Sequence, residues 1–111
     1  MKVKSYLKYA PDTELTLRLR SYYNKRLAIL ATSPEGEPVA TLTVNMPEIA
    51  LSEDEIIIKD WSENEGALET LQQARLVEVV AELPAGYCTA YVCRWLGDRP
   101  QQPPAELEKR I

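Results

Sequence analysis

The chain offers few residues for acid–base or nucleophilic chemistry. It contains no histidine, so the commonest general base near neutral pH and every Ser-His, Cys-His and His-metal arrangement are absent. Its four glycines stand too far apart to form a phosphate-binding loop or a dinucleotide fingerprint. We therefore predict that the protein is not an enzyme and that it has no catalytic residue and no cofactor.

Carboxylates are the most numerous groups that could bind something. Between residues 48 and 69 eight acids stand against a single lysine. A calcium loop beginning at Asp60 would need glycine at position 65 and glutamate at position 71, where the chain has Glu65 and Leu71, so we expect no metal site. We predict instead an acidic surface that binds a protein partner. Its residues are Glu53, Asp54, Glu55, Asp60, Trp61, Glu63, Asn64 and Glu65.

The first thirty residues have the opposite charge, with seven Lys or Arg against two Asp or Glu. Guanidinium groups pair with phosphate and tyrosine rings stack on bases, so this region suggests an alternative: a protein that binds a small nucleotide signal. The residues for it are Arg18, Arg20, Tyr23, Lys25 and Arg26. Because the rest of the chain is strongly acidic and repels phosphate, we expect no direct DNA or RNA binding.

The two cysteines predict free thiols. Cys88 and Cys93 are five positions apart in an extended segment, so their side chains point to opposite faces, roughly 16 Å apart, beyond disulfide reach. Reduced thiols, the lack of a long apolar run and the lack of a signal peptide favour a cytoplasmic protein with no membrane contact.

Alternation of apolar and polar residues predicts strands in the first half of the chain. Leu15, Leu17 and Leu19 alternate with polar residues, which is the period of a half-buried strand, and dense turn formers at 33–38 predict a reversal of the chain. The predicted strands are, in order, Glu14–Tyr22, Arg26–Thr32, Val39–Asn45 and Ile56–Ile58.

One helix is predicted after these strands. Ser62 and Glu65 have the spacing of a capping box, in which each side chain bonds the backbone N–H of the other residue. Apolar residues then recur at helical spacing from Ala67 to Ala74. We predict a helix over about Glu63–Ala74.

The segments Leu76–Leu83 and Tyr87–Trp95 flank a Pro-Ala-Gly turn and predict a second hairpin. The resulting order is β-β-β-β-α-β-β, which indicates an α+β fold: a mainly antiparallel sheet of about six strands with one principal helix packed on it. We expect one domain over residues 1–96, a proline-rich C-terminal tail over 97–111, and a monomer or small homo-oligomer.

Five motifs between Tyr22 and Trp95 resemble those of a known family. They are Arg26-Leu27-Ala28-Ile29, Gly36-Glu37-Pro38, Ala40–Asn45, Ile58–Gly66 and Gly86-Tyr87, of which the Glu-Asn-Glu-Gly stretch at 63–66 is the most specific. The set resembles an uncharacterised domain-of-unknown-function family of short proteins from phages, plasmids and integrated mobile elements of bacteria.

This resemblance implies a small cytoplasmic accessory protein of a mobile element, and it transfers no catalytic residue. Small acidic proteins of such elements often resemble counter-defence factors, which block CRISPR effectors or restriction enzymes. A rigid acidic surface can be steered into a basic channel and compete with phosphates there. We therefore expect the protein partner to be a nucleic-acid-handling defence complex.

Overall fold

The computed structural model describes residues 1–98 and has an α+β fold, as predicted. It contains seven strands, a single turn of 3-10 helix and one short α-helix. These elements are β1 (Lys2–Leu7), β2 (Ala10–Ser21), β3 (Leu27–Thr32), β4 (Pro38–Thr41), β5 (Glu55–Lys59), the 3-10 turn Ser62–Asn64, α1 (Ala67–Gln73), β6 (Val77–Ala85) and β7 (Cys88–Trp95).

The first sheet has the order β1-β2-β3-β4, and all its strand pairs are antiparallel. Its longest strand follows the predicted alternation: Leu15 and Leu17 are buried, while Arg18 and Arg20 are exposed. The prediction was wrong about the start of this strand, which begins at Ala10 and forms a hairpin with the unpredicted β1. In β1, buried residues alternate with exposed lysines in the same way.

The second sheet has the order β5-β7-β6, and it includes the predicted hairpin near the end of the chain. The predicted third strand, Val39–Asn45, is divided between the sheets: β4 ends at Thr41, and Thr43 then forms an antiparallel bridge with Ile58. The hydrogen bonds on either side of this bridge join the sheets. The sequence predicted one sheet of about six strands, whereas the structure has seven strands in two sheets.

A main core is shared by both sheets and the helix. Its buried residues include Leu15, Ile29, Ile58 and Leu71, one each from β2, β3, β5 and α1. A smaller cluster on the other face of the second sheet is centred on Ile57, and the loop from residue 44 to 51 packs against it. Both faces of the second sheet are thus occupied near β5, which explains why three consecutive isoleucines are buried there.

The predicted capping box does not form. Ser62 makes no capping hydrogen bond, and the chain makes one 3-10 turn before Gly66 adopts a left-handed φ of 99°. The helix starts only at Ala67. Asp60 caps its first turn, because Asp60 Oδ1 accepts hydrogen bonds from the backbone N–H groups of Gly66 and Leu68, each at 3.1 Å. A Cβ at Gly66 would lie 2.0 Å from the Tyr6 carbonyl oxygen, so only glycine fits against β1.

Both cysteines are free, as predicted. Cys93 lies in the main core, and burial raises the pKa of its thiol to about 12, whereas Cys88 is partly exposed. None of the helical segments between residues 1 and 98 has the length and apolar character needed to span a bilayer. Most of the predicted proline-rich tail, residues 99–111, lies outside the described residues.

Candidate binding surfaces

The acidic segment, Glu53–Glu65, is fixed to the fold by two of its own polar side chains. Asp60 binds the first turn of α1, and Asn64 is only 1% exposed. Asn64 donates from Nδ2 to the Thr41 carbonyl oxygen at 2.6 Å, which ties the segment to β4. Removing either group would leave buried or helix-end backbone groups without a hydrogen-bond partner, so both residues hold the acidic segment in place.

Two glutamates of the acidic segment project from this fixed backbone into solvent. Glu63 lies 2.7 Å from Lys59 Nζ, and Glu65 lies 3.7 Å from Lys8 Nζ. Both side chains are more than half exposed, at 59% and 57%. The hydrogen bond from Lys59 holds the pKa of the Glu63 carboxyl below its usual value. Ion pairs this exposed are weak, so a partner's cation can replace them at little cost.

The residues at the start of the acidic segment lie near the edge of the second sheet. Asp54 is 3.4 Å from Arg94 Nε, and Arg94 also bonds Glu78 at 3.0 Å, so two carboxylates share one guanidinium. Glu55 is used locally, because its Oε1 accepts the backbone N–H of Ser52 at 2.7 Å. The segment therefore has two ends with different surroundings, one beside Arg94 and one beside α1.

Trp61 is half-buried and packs on the smaller cluster of the second sheet. Its ring also lies 5.8 Å from Lys59 Nζ, within cation–π distance. The ring therefore has a structural role in holding the loops over Ile57, and only part of it faces solvent.

The prediction missed three charged residues that belong to these surroundings. Lys8 and Arg94 come from distant parts of the sequence and pair with Glu65 and Asp54. Glu69 follows on α1, is exposed, and forms no ion pair within residues 1–98. The run of acids between residues 48 and 69 includes Glu69, but no local pattern indicates the two cations.

The second surface, which we call the basic face, is the outer side of the first sheet around Arg18 and Arg20. Their strand partners on β3 are Leu30 and Ala28, so the two guanidiniums project from the same face. Arg20 donates only to the carbonyl oxygen of its neighbour Leu19, at 3.0 Å. Neither arginine forms an ion pair within residues 1–98, and both therefore keep donors for an anion.

The other three residues predicted to bind a nucleotide signal, Tyr23, Lys25 and Arg26, lie apart from these two arginines. Tyr23 is 84% exposed and, with Lys25, occupies the turn between β2 and β3. Arg26 is used structurally, because its guanidinium donates to the carbonyl oxygens of Met46 and Ile49. The structure therefore divides the predicted set, and only two of its five residues share the basic face.

A cleft of about 550 Å³ lies beside that turn, and its lining mixes cations with acids, including Lys25, Arg26, Glu53 and Glu55. Glu53 is exposed on its rim. Over residues 1–98, no group of three acidic or cysteine side chains is arranged to hold a metal ion.

Comparisons of the chain with protein-family models, curated sequences and solved structures found no match.

Proposed function

We propose that the protein is a non-enzymatic binding protein whose acidic segment contacts a basic surface of a partner protein. One observation carries this proposal: Glu63 and Glu65 are exposed and weakly paired, yet they project from a backbone that Asp60 and Asn64 hold in place. Fixed acidic groups lose little conformational freedom on binding, so more of their electrostatic attraction is kept as affinity.

The partner that this surface suits carries a cluster of arginines or lysines. Opposite potentials speed association and set the orientation of the two proteins, and each incoming cation replaces Lys59 or Lys8 at an exposed pair. A nucleic-acid channel of a CRISPR effector or restriction enzyme has this chemistry. We therefore propose a counter-defence inhibitor acting in the cytoplasm, in line with the resemblance to the mobile-element family.

The test measures cleavage of target DNA by purified restriction enzymes and CRISPR effectors in the presence of the protein. We expect the wild-type protein to slow at least one of them. The double variant Glu63→Lys/Glu65→Lys should lose at least tenfold in potency. The control, Glu35→Lys/Glu37→Lys, makes the same charge change on exposed acids of the β3–β4 turn and should keep the inhibition.

Two results would count against the proposal. Equal loss of inhibition in both double variants would mean that total charge matters and the acidic segment does not. The absence of inhibition in every effector tested, together with unchanged plaque numbers in cells under phage challenge, would remove the counter-defence function.

A separate observation supports a second candidate function. Arg18 and Arg20 have no carboxylate partner within residues 1–98, and they stand on one face of a sheet. Such guanidiniums suit a phosphate group, so binding of a nucleotide signal is the alternative. Thermal-shift measurements with cyclic nucleotides and inorganic pyrophosphate test this alternative, because a ligand that binds only the folded state raises the melting temperature of the protein. The double variant Arg18→Gln/Arg20→Gln should abolish that rise, and Lys25→Gln should not.

A further inference from the structure

One half of the outer edge of β1 is closed by the helical region, and the other half is open. The backbone N–H of Leu17 bonds the carbonyl oxygen of Met1, and Val3 pairs with Leu15 in the same register, so the backbone groups of Lys2 and Lys4 point away from β2. On that outer edge, Tyr6 N–H bonds Thr70 Oγ1 at 2.9 Å, and Lys8 N–H bonds the Glu65 carbonyl oxygen at 2.8 Å.

The open half belongs to Lys2 and Lys4. Their backbone N–H and C=O groups point to the same outer edge, and no group of residues 1–98 is hydrogen-bonded to them there. Beside them lies a cleft of about 400 Å³. One wall is β1, and the other is the end of α1 and the residue that follows it. The lining residues are Met1, Lys2, Val3, Lys4, Tyr6, Gln73, Ala74 and Leu76.

We propose that this cleft binds an extended peptide of a partner protein, which adds as a further strand to the open half of β1. Unpaired strand edges pair with added strands through main-chain hydrogen bonds, and adjoining pockets select alternate side chains. A strand next to a helix, with free backbone groups between them, has the form that this kind of recognition requires.

The two faces of the cleft specify the sequence of the peptide. On the outer face, the added strand would lie next to the side chains of Lys2 and Lys4, which are 70% and 60% exposed. Their present pairs are with Glu14 at 3.8 Å and Asp12 at 3.5 Å, and both are weak because they are exposed. Acidic residues opposite the lysines would therefore stabilise the pairing.

On the inner face, alternate residues of the peptide meet an apolar surface. Val3 is buried in the main core, and the partly buried Ala74 and Leu76 pack against that core from the helix side. Since successive side chains of a strand point to opposite faces, the residues of the bound peptide should alternate in the order acidic, apolar, acidic. This site is separate from the acidic segment, so either of the two proposals can fail without the other.

The experiment measures the affinity of a fluorescent, acetylated and amidated Glu-Leu-Glu-Leu-Glu peptide for the full chain. We expect binding with large amide shifts at Lys2 and Lys4 in NMR spectra. The peptide Lys-Leu-Lys-Leu-Lys is the charge control and should bind at least tenfold more weakly, as should Glu-Leu-Glu-Leu-Glu with the Lys2→Glu/Lys4→Glu variant. Lys25→Glu, a reversal in the β2–β3 turn, should leave the affinity unchanged.

Methylated peptides test the strand pairing itself. N-methyl groups on the amides that face β1 should abolish binding, and N-methyl groups on the alternate amides should leave it within about twofold, because only one set donates to the edge. Equal tolerance of both methylated peptides would overturn the proposal. So would amide shifts confined to residues outside the cleft.

The chain itself contains the order Glu106-Leu107-Glu108, so its own sequence could compete for the cleft. The double variant Glu106→Lys/Glu108→Lys decides between the two occupants. We expect it to bind the peptide as tightly as the wild type. A gain of tenfold or more would assign the cleft to this chain's own segment and would overturn the assignment to a partner.

Discussion

The acidic segment and the basic face use their charged residues in opposite ways. In the acidic segment, Asp60 and Asn64 bond backbone groups, and the exposed acids Glu63 and Glu65 each touch a cation. On the basic face, Arg18 and Arg20 form no ion pair within residues 1–98. Charge density along the sequence is therefore a poor measure of the charge available to a partner.

This difference has a consequence for mutations. Substitutions in the acidic segment should change the free energy of unfolding, because several of its residues are part of the fold. Substitutions on the basic face should change ligand binding and leave stability almost unaltered.

The largest effect is expected at Gly66, which directly follows the acidic segment and packs against β1. Gly66→Ala would place a methyl group against the Tyr6 carbonyl oxygen at a residue with φ of 99°. Backbone strain and overpacking together should lower the free energy of unfolding by at least about 3 kcal/mol. Urea unfolding of the variant measures this change.

Gly36→Ala is the matched control for that prediction. Gly36 also has a positive φ, of 90°, but nothing lies within 4 Å of the added Cβ. It should cost only about 1–2 kcal/mol, the strain of the left-handed conformation. Equal losses in the two variants would mean that contact with β1 does not restrict the acidic segment.

The next effect is expected from Asp60→Ala, which removes the acceptor for two N–H groups at the start of α1. Loss of a helix-capping side chain costs about 0.5–2 kcal/mol. Asp54→Ala also removes an aspartate from the segment, but it breaks only an exposed ion pair with Arg94 and should change stability by less than about 1 kcal/mol. Thermal unfolding of both variants would show whether some acids of the segment stabilise the fold while others are only exposed on its surface.

On the basic face, the double variant Arg18→Gln/Arg20→Gln should leave stability within about 0.5 kcal/mol of the wild type, as is usual for exposed positions without specific bonds. Retention of pyrophosphate on the wild type and its loss in the variant would show that the two guanidiniums act on a ligand. A large drop in melting temperature would instead make this face structural and remove its contrast with the acidic segment.

The smallest effect is the titration of Glu63. Because the Lys59 hydrogen bond lowers the pKa of this carboxyl below 4.5, its contribution to stability is present above that pH and is lost as the pH falls through the lowered value. Carbon-detected NMR titration should show the pKa returning to its usual value in Lys59→Met. An unchanged pKa would mean that the pair does not form in solution.

Local patterns in the sequence predicted some of this fold well. The Pro-Ala-Gly sequence between two apolar runs identified the β6–β7 hairpin, although Pro84 and Ala85 belong to β6 and the turn itself is Gly86-Tyr87. Leucine alternation identified β2. The same alternation is present in β1, where Val3 and Leu7 are buried, but Ser5 occupies the buried position between them and weakens the pattern. That strand was missed because its signal is short and is interrupted by a polar residue.

The helix start and the surfaces needed information that no local pattern contains. Ser62 and Glu65 have capping-box spacing, but the left-handed Gly66, which packs against the Tyr6 carbonyl group, separates them from α1. Likewise, Arg26 was predicted to bind a ligand, but its guanidinium bonds carbonyl groups of a loop twenty or more residues away. Both corrections come from contacts between distant parts of the chain.

The contact between Tyr6 and Thr70 also constrains the order of events during synthesis, because its two residues are 64 positions apart. The β1–β2 hairpin is local and can form early, but the helical region that closes half of its edge emerges much later. At about 5–20 residues per second, the delay on the ribosome is roughly 3–13 s. For that interval the whole edge of β1 is open to pairing with other nascent chains, and the alternating lysines of the strand are its protection against aggregation.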